Sequence, residues 1–461
     1  MASPVVVPQR RRSFAGPIIL IIIGVLFLLR NFGIILPWSF LANWWPLLLV
    51  LLGVIRLVEY YMARQNNEYP PAVGGGTVVL MIFIIMIGLG ITGAYKAKDH
   101  INWGGLRDEM GGDEEFMGMF GKNFNYEDQL EKDLPAGTSL KVVSDRGSIA
   151  VNTWDEAKIK VVVHKRVFAA NDGDANKVND QTKPTVEIAN GVATVNANTQ
   201  GGGQKGVVTD LEIYVPKKVA VDIAGRRGDV NVSGREAEVK VSSSQGDVVL
   251  DQITGNVTTQ QNKGSFRISQ ITGNVTANGR FDDLVAMDVT GGVIVNGDVF
   301  GEVKLSKISK GVQFHSSRTD LELARLDGDL DLDSHDLRAS NVIGPTTLNV
   351  RAKDVNLESI TGPIHIQGEK SDISLQVGEK LPLGQIEVST NTGDVRVTLP
   401  SKATFQIQGS TNHGGATTDF SELATSDNNG RGTVNGSVGK GATKITINTN
   451  AGDIDIRKGT S

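Results

Sequence analysis

The chain has 461 residues, enough for two to four domains, yet 54 glycines stand against 14 prolines and only 6% of residues are aromatic. Bulky core-fillers are scarce, which points to many thin repeated layers. The formal net charge of -5 gives no general attraction to nucleic acid, and the absence of cysteine removes disulfides, thiolate metal sites and thiol catalysis.

In chain order, the first predicted element is an apolar run from residue 14 to 36, interrupted by Arg30 and Asn31 near one end, where a cation can snorkel to the headgroups. Arg10, Arg11 and Arg12 precede it as the basic n-region of a signal peptide would, but no small-residue cleavage site follows. A second run, 44–61, is bracketed by Trp44 and Trp45 and by Tyr60 and Tyr61, the aromatic belts of two membrane interfaces. A third, 75–94, carries no charge and is apolar all round. Three transmembrane helices place the two ends of the chain on opposite sides of the bilayer. Arg10, Arg11 and Arg12 orient the N-terminus to the cytoplasm, so the expected location is the cytoplasmic (inner) membrane, multi-pass, with the C-terminal domain periplasmic or extracellular. Gly88, Gly90 and Gly93 spell a dinucleotide-binding GxGxxG, but inside the third span and without a preceding strand they read as small residues that let helices pack.

The runs GPIILIIIGVLFLLRNFGIIL and WWPLLLVLLGVIRLVEY resemble the LiaF-like transmembrane region of bacterial envelope-stress proteins. This resemblance implies contact with a sensor kinase or another envelope-stress component.

Residues 96–137 turn polar and acidic and read as a glycine-containing linker. From 138 to 461 a β-repeat domain is expected. Its twelve-residue unit sets two alternating apolar residues, a turn with Gly and a small polar residue, then two more alternating apolars. Five copies align on Gly147, Gly228, Gly246, Gly393 and Gly452, and Asp229, Asp247, Asp394 and Asp453 follow four of these glycines. Glycine supplies a positive backbone dihedral, and the aspartate is expected to close the turn by a local hydrogen bond. Gly246, Gly255, Gly264 and Gly273 fall nine apart, with looser copies through Gly292, Gly301, Gly311, Gly328, Gly344, Gly362 and Gly384. Such a period marks a stack. The predicted fold class is therefore mainly β: a repeat β-solenoid, β-helix-like, after a bundle of three transmembrane helices. The alternative is a layered antiparallel β-sheet, since hairpins also space glycines by 8 to 12 residues.

A hairpin insertion is predicted near 169–210, with VEIANGVATV turning at Asn190-Gly191 and a polar loop over 171–183. Residues 409–415 and 427–441 read as mobile glycine-rich stretches, and the Trp154 region and the Gly452 copy as caps over the open ends. From Thr138 to about Lys458 the units, as in STNTGDVRVTLP and NTNAGDIDIRKG, resemble the bacterial putative-adhesin family of β-strand repeats, which supplies no catalytic residues to carry over.

Chemical motifs are weak. Arg227, Gly228 and Asp229 spell a cell-attachment tripeptide, but Gly-Asp recurs without the arginine, so a structural turn is expected. Calcium-binding nonapeptides space Gly and Asp differently. The six histidines never pair at metal-ligand spacing, no carboxylate dyad stands out, and no G-x-S-x-G occurs. No catalytic, cofactor or metal residue is assigned. The expected function is a non-enzymatic binding, adhesin-like or scaffolding module held at the lipid bilayer. Candidate partners are cell-wall polymer, glycan, an envelope protein or a sensor kinase, with modulation of envelope-stress signalling as the alternative.

Overall fold

The computed structural model describes residues 61, 122–202, 206–441 and 443–459. Tyr61 is exposed, and the three predicted spans with Arg10, Arg11, Arg12, Trp44, Trp45 and Tyr60 lie outside the described residues. Among the described residues no helix is long and apolar enough to cross a membrane.

From Val221 the chain coils between two facing sheets. Val221–Arg227 lies in sheet II, Val230–Arg235 in sheet I, and Val239–Gln245 returns to sheet II, where Val239 pairs in parallel with Val221 behind it and Val257 ahead. Partners stand 18 residues apart, so two nine-residue units make one turn. Alternation points Val221, Val239, Val257, Val275 and Val293 inward from sheet II, and Val230, Val248, Phe266, Leu284 and Val303 inward from sheet I. All ten are at most 2% exposed. Each residue thus stacks on its own kind one layer away, and burial of these ladders drives the assembly.

The predicted continuation of this coil through Gly311, Gly328 and Gly344 is corrected. Val312–His315 turns back as a hairpin into Thr319–Leu323 within sheet II, and Leu326–Leu332 turns back into Asp336–Ser340 within sheet I. Residues 319–332 therefore form one layer running against all its neighbours, antiparallel on both sides. The parallel sense then resumes through Thr346–Val350 and Asp354–Ile360. Turns at Ser316-Ser317-Arg318 and Asp333-Ser334-His335 make the reversals, each closed by a backbone bond across its hairpin, from the Ser316 N–H to the Thr319 carbonyl and from the Asp333 N–H to the Asp336 carbonyl.

Both ends are threaded, which corrects the expected caps. The first unit, Ser139–Ser144 and Ile149–Trp154, lies between Val192–Asn196 and Val207–Pro216 on one side and Val221–Arg227 and Val230–Arg235 on the other. At the other end, Lys444–Ala451 and Ile454–Lys458 lie between Ile386–Thr392 and Val395–Leu399 on one side and Phe405–His413 and Ala416–Thr418 on the other. The Gly452 copy is therefore internal. The free edges are Lys122–Asp133 and Ala416–Thr418 in the 16-stranded sheet I, and Thr185–Ala189 and Leu423–Asn428 in sheet II, which pairs linearly and stays open.

Three segments expected to be irregular are regular. Lys122–Asp133, placed in the linker by the sequence, pairs along its whole length with Lys158–Ala169. Residues 405–438 hold the antiparallel strands Phe405–His413, Leu423–Asn428 and Arg431–Val438 instead of mobile loops. The predicted polar loop is helix Asp172–Gln181, capped by the Asn171 side chain accepting from the Asp174 N–H, with Ala175 and Val178 packed on Val167, Ala169 and Val207. At its C-terminus the buried Lys165 ammonium donates to the Thr182 carbonyl at 2.8 Å and to Asn179 Oδ1 at 3.0 Å, and burial pushes its pKa down to about 8.

Candidate functional site

At the corner leading into sheet I, Gly228 adopts φ +123°, and a Cβ there would lie 2.3 Å from the Gly147 carbonyl oxygen; Gly246 (φ +126°) approaches Gly228 equally closely. Gly264 stacks on Gly246 in turn, and Gly452 on Gly393. Gly255 and Gly273 stack in a second column over Ala237, at the corner that leads into sheet II. Turn-to-turn backbone contact leaves no space for a side chain.

The following aspartates act between layers, which corrects the local-turn expectation. Asp229 Oδ1 accepts the Asp247 N–H at 2.9 Å, and Asp247 Oδ1 accepts the Ser265 N–H at 2.8 Å. Asp394 likewise accepts from Asp453 at 2.8 Å, and Asp453 from Gly415 at 2.7 Å. Each carboxylate ties its layer to the next, in register, at a corner where ladder bonding is interrupted. The Arg227-Gly228-Asp229 tripeptide is built into this column: Arg227 is 8% exposed and the Asp229 carboxylate is engaged.

Beside this column the outer face of sheet I carries a trough of about 560 Å³. Its outward row is set by register: Arg338, Asn356, Ser374, Arg396, Asp455 and Thr417 neighbour one another across six strands. Arg338 and Arg396 stand on either side of the short Asn356 and Ser374. Asp336, Asp354, Asp372, Asp394 and Asp453 run along the rim. Arg338 is paired with Asp336 at 2.6 Å and Arg396 with Asp455 at 3.2 Å. Burial would raise the Asp455 carboxyl, yet donation from Arg457, Thr417 and Arg396 holds it below the usual aspartate range. The trough is thus polar, pre-ordered and open. It suits recognition of a polar ligand by hydrogen bonds.

The sequence reading did not single out these residues. Their signal is the x of D-Φ-x-Φ (Φ apolar), as in Asp372-Ile-Ser374-Leu and Asp394-Val-Arg396-Val, the outward position two after each corner aspartate. Among the described residues no group of three or more His, Cys, Asp and Glu is placed to hold a metal ion. His315 pairs with Asp320 at 2.5 Å, His365 with Glu387 at 3.2 Å, and His413 contacts the Asn450 carbonyl, so these three imidazoles sit apart in surface contacts.

Two families match the chain: Toastrack DUF4097 over residues 138–457, and the LiaI-LiaF-like transmembrane region over residues 14–57. No curated protein matches. Among solved structures, a putative cell adhesion protein from Clostridium sporogenes is similar at 12% identity and TM-score 0.17, over 73% of this chain and 100% of its own. A putative adhesin from Parabacteroides distasonis is similar at 9% identity and TM-score 0.20, over 74% and 98%. Another from Bacteroides fragilis has 8% identity and TM-score 0.16, over 72% and 97%.

Proposed function

Because the chain belongs to the Toastrack DUF4097 family and carries a LiaI-LiaF-like transmembrane region, we propose that it is a membrane-anchored, non-catalytic binding module of the cell envelope. The observation that carries this reading is the trough on sheet I, a pre-ordered polar surface set by strand register and built without a catalytic constellation. In this reading three spans hold the chain in the inner membrane with its N-terminus in the cytoplasm and the β-domain outside. The partner is wall polymer, another glycan or an envelope protein.

The test is retention of the detergent-solubilised full chain on purified insoluble wall polymer. Saturable retention, weakened at least tenfold by the paired change Arg338→Ala and Arg396→Ala, is expected; no retention of the wild type overturns the reading for wall polymer. The transmembrane match favours a second reading, modulation of envelope-stress signalling. A sensor kinase that co-purifies from membranes, with no wall-polymer retention, would select it.

A further inference from the structure

Most aromatic rings of the β-domain are inside: Phe168, Phe266, Phe281, Phe314, Phe405 and Phe420 are each at most 5% exposed. One pair is not. Trp154, the sole tryptophan among the described residues, and Tyr214 lie on the outer face of sheet I near its threaded end, both partly exposed, with ring centroids 6.3 Å apart and planes inclined by 49°. Register explains the pairing, since Asn152 lies opposite Tyr214 and Trp154 opposite Pro216, so the two rings meet diagonally on one face. On the other flank Lys160 is opposite Tyr214, its ammonium 5.7 Å from the ring centroid.

The rings are held. The Trp154 indole N–H donates to the Lys158 carbonyl at 2.8 Å, and the Tyr214 hydroxyl donates to Glu212 Oε2 at 3.3 Å. Lys158 in turn pairs with Glu131 at 2.8 Å. Around the two rings and Pro216 stand two cations, Lys158 and Lys160, and the carboxylates Glu131 and Glu212, with Asp155 and Glu156 in the turn after Trp154 and Asp133 beside Lys158, so the surroundings are net acidic.

From this geometry we infer that the Trp154–Tyr214 face binds the pyranose ring of an uncharged envelope polysaccharide. The inference rests on the binding-module reading and adds a second contact surface to the trough. A sugar ring offers an apolar C–H face to aromatic rings and hydroxyls to the amide, ammonium and carboxylate around them. The surplus of carboxylates disfavours a polyanion, and the pairing of Lys158 with Glu131 leaves the ring face itself to an uncharged ligand. Rings fixed by their own polar tips lose little freedom on binding.

The test is calorimetric titration of the full chain in phosphatidylcholine nanodiscs with two neutral probes, the β-1,4-linked tetramer of N-acetylglucosamine and maltotetraose, and with polygalacturonate as an anionic control. Saturable binding of at least one neutral probe is expected. It should weaken at least tenfold in Tyr214→Ala and in Trp154→Ala, and stay within twofold in Tyr214→Phe. Thermal unfolding of each variant shows whether it is folded, and Tyr214→Phe keeps the ring if the alanine variants are not. Binding of neither neutral probe, binding of polygalacturonate alone, or unchanged binding in both alanine variants overturns the inference. Retention on wall polymer that survives both ring changes would remove the platform while leaving the binding module. No retention of the wild type would overturn the wall-polymer reading of the module instead.

Discussion

Gly228 sits where the backbone of one turn touches that of the next, and its two constraints act together. A side chain there would meet the Gly147 carbonyl 2.3 Å away, and φ +123° is a conformation that L residues rarely adopt. Gly228→Ala is expected to destabilise the domain by about 3 kcal/mol or more, read as a drop in the midpoint of thermal unfolding. Gly137, whose added Cβ would meet nothing within 4 Å although its φ is +80°, is the control. Gly137→Ala should cost only about 1 kcal/mol. Corner glycines such as Gly228 were legible in the sequence because a positive φ and close backbone approach favour glycine there, although Asp282 and Ser371 take the equivalent place in other layers. A second corner was not. Gln252, Gln270, Asp288 and Lys307 stack one layer apart with φ of 53–55°, kinking each sheet I strand so that Val248, Leu250 and Ile253 all point inward. Its signature is the apolar spacing 0, 2, 5, which breaks strict alternation, and no single residue type marks it. Arg235 takes the place of Ile253 in that ladder; its guanidinium donates to the Val215 and Pro216 carbonyls and to Thr153, and burial lowers its pKa to about 10.

Among the elements, the reversed layer 319–332 depends most directly on ionised side chains. Asp298 accepts from the Ser317 N–H and hydroxyl, holding the turn before Thr319–Leu323. Asp333 accepts from the His335 and Asp336 N–H groups, holding the turn after Leu326–Leu332. These hydrogen bonds lower both carboxyl pKa values below the ordinary aspartate range. A carboxyl whose pKa is lower folded than unfolded contributes stability that is complete above its unfolded value, about 3.9, and is lost as pH falls through the folded value. The reversed layer is therefore expected to loosen first on acidification below about pH 4. Hydrogen exchange at stepped pH should show strands Thr319–Leu323 and Leu326–Leu332 losing protection before the parallel coil Val239–Thr254, and Asp333→Ala should bring that loss to neutral pH. Simultaneous loss across the domain would contradict the assignment. The sequence signals for this layer, HSSRT and LDSHD between short apolar runs, are ordinary turn signals. A nine-residue spacing reading passed over them because Gly311, Gly328 and Gly344 lie close to the period.

For the molecule as a whole, the repeat announced a stack but not its threading. Local periodicity specifies which residues face inward and how far apart parallel partners lie. It carries no record that the first unit, centred on Gly147, and the last, centred on Gly452, sit inside later and earlier layers, since that depends on contacts across about 80 and 60 residues. The trough was hidden for a related reason: Arg338, Arg396 and Asp455 converge only through register. The central functional claim, a binding module displayed outside the inner membrane, depends on orientation, which rests on three apolar runs and on Arg10, Arg11 and Arg12. The native chain has no cysteine and Phe300 is 70% exposed, so Phe300→Cys gives a single reporter thiol on the β-domain. The most direct measurement is its labelling by a membrane-impermeant maleimide in osmotically opened cells with an intact inner membrane. Full labelling before lysis is the predicted result; labelling only after the inner membrane is broken would place the domain in the cytoplasm and contradict the account.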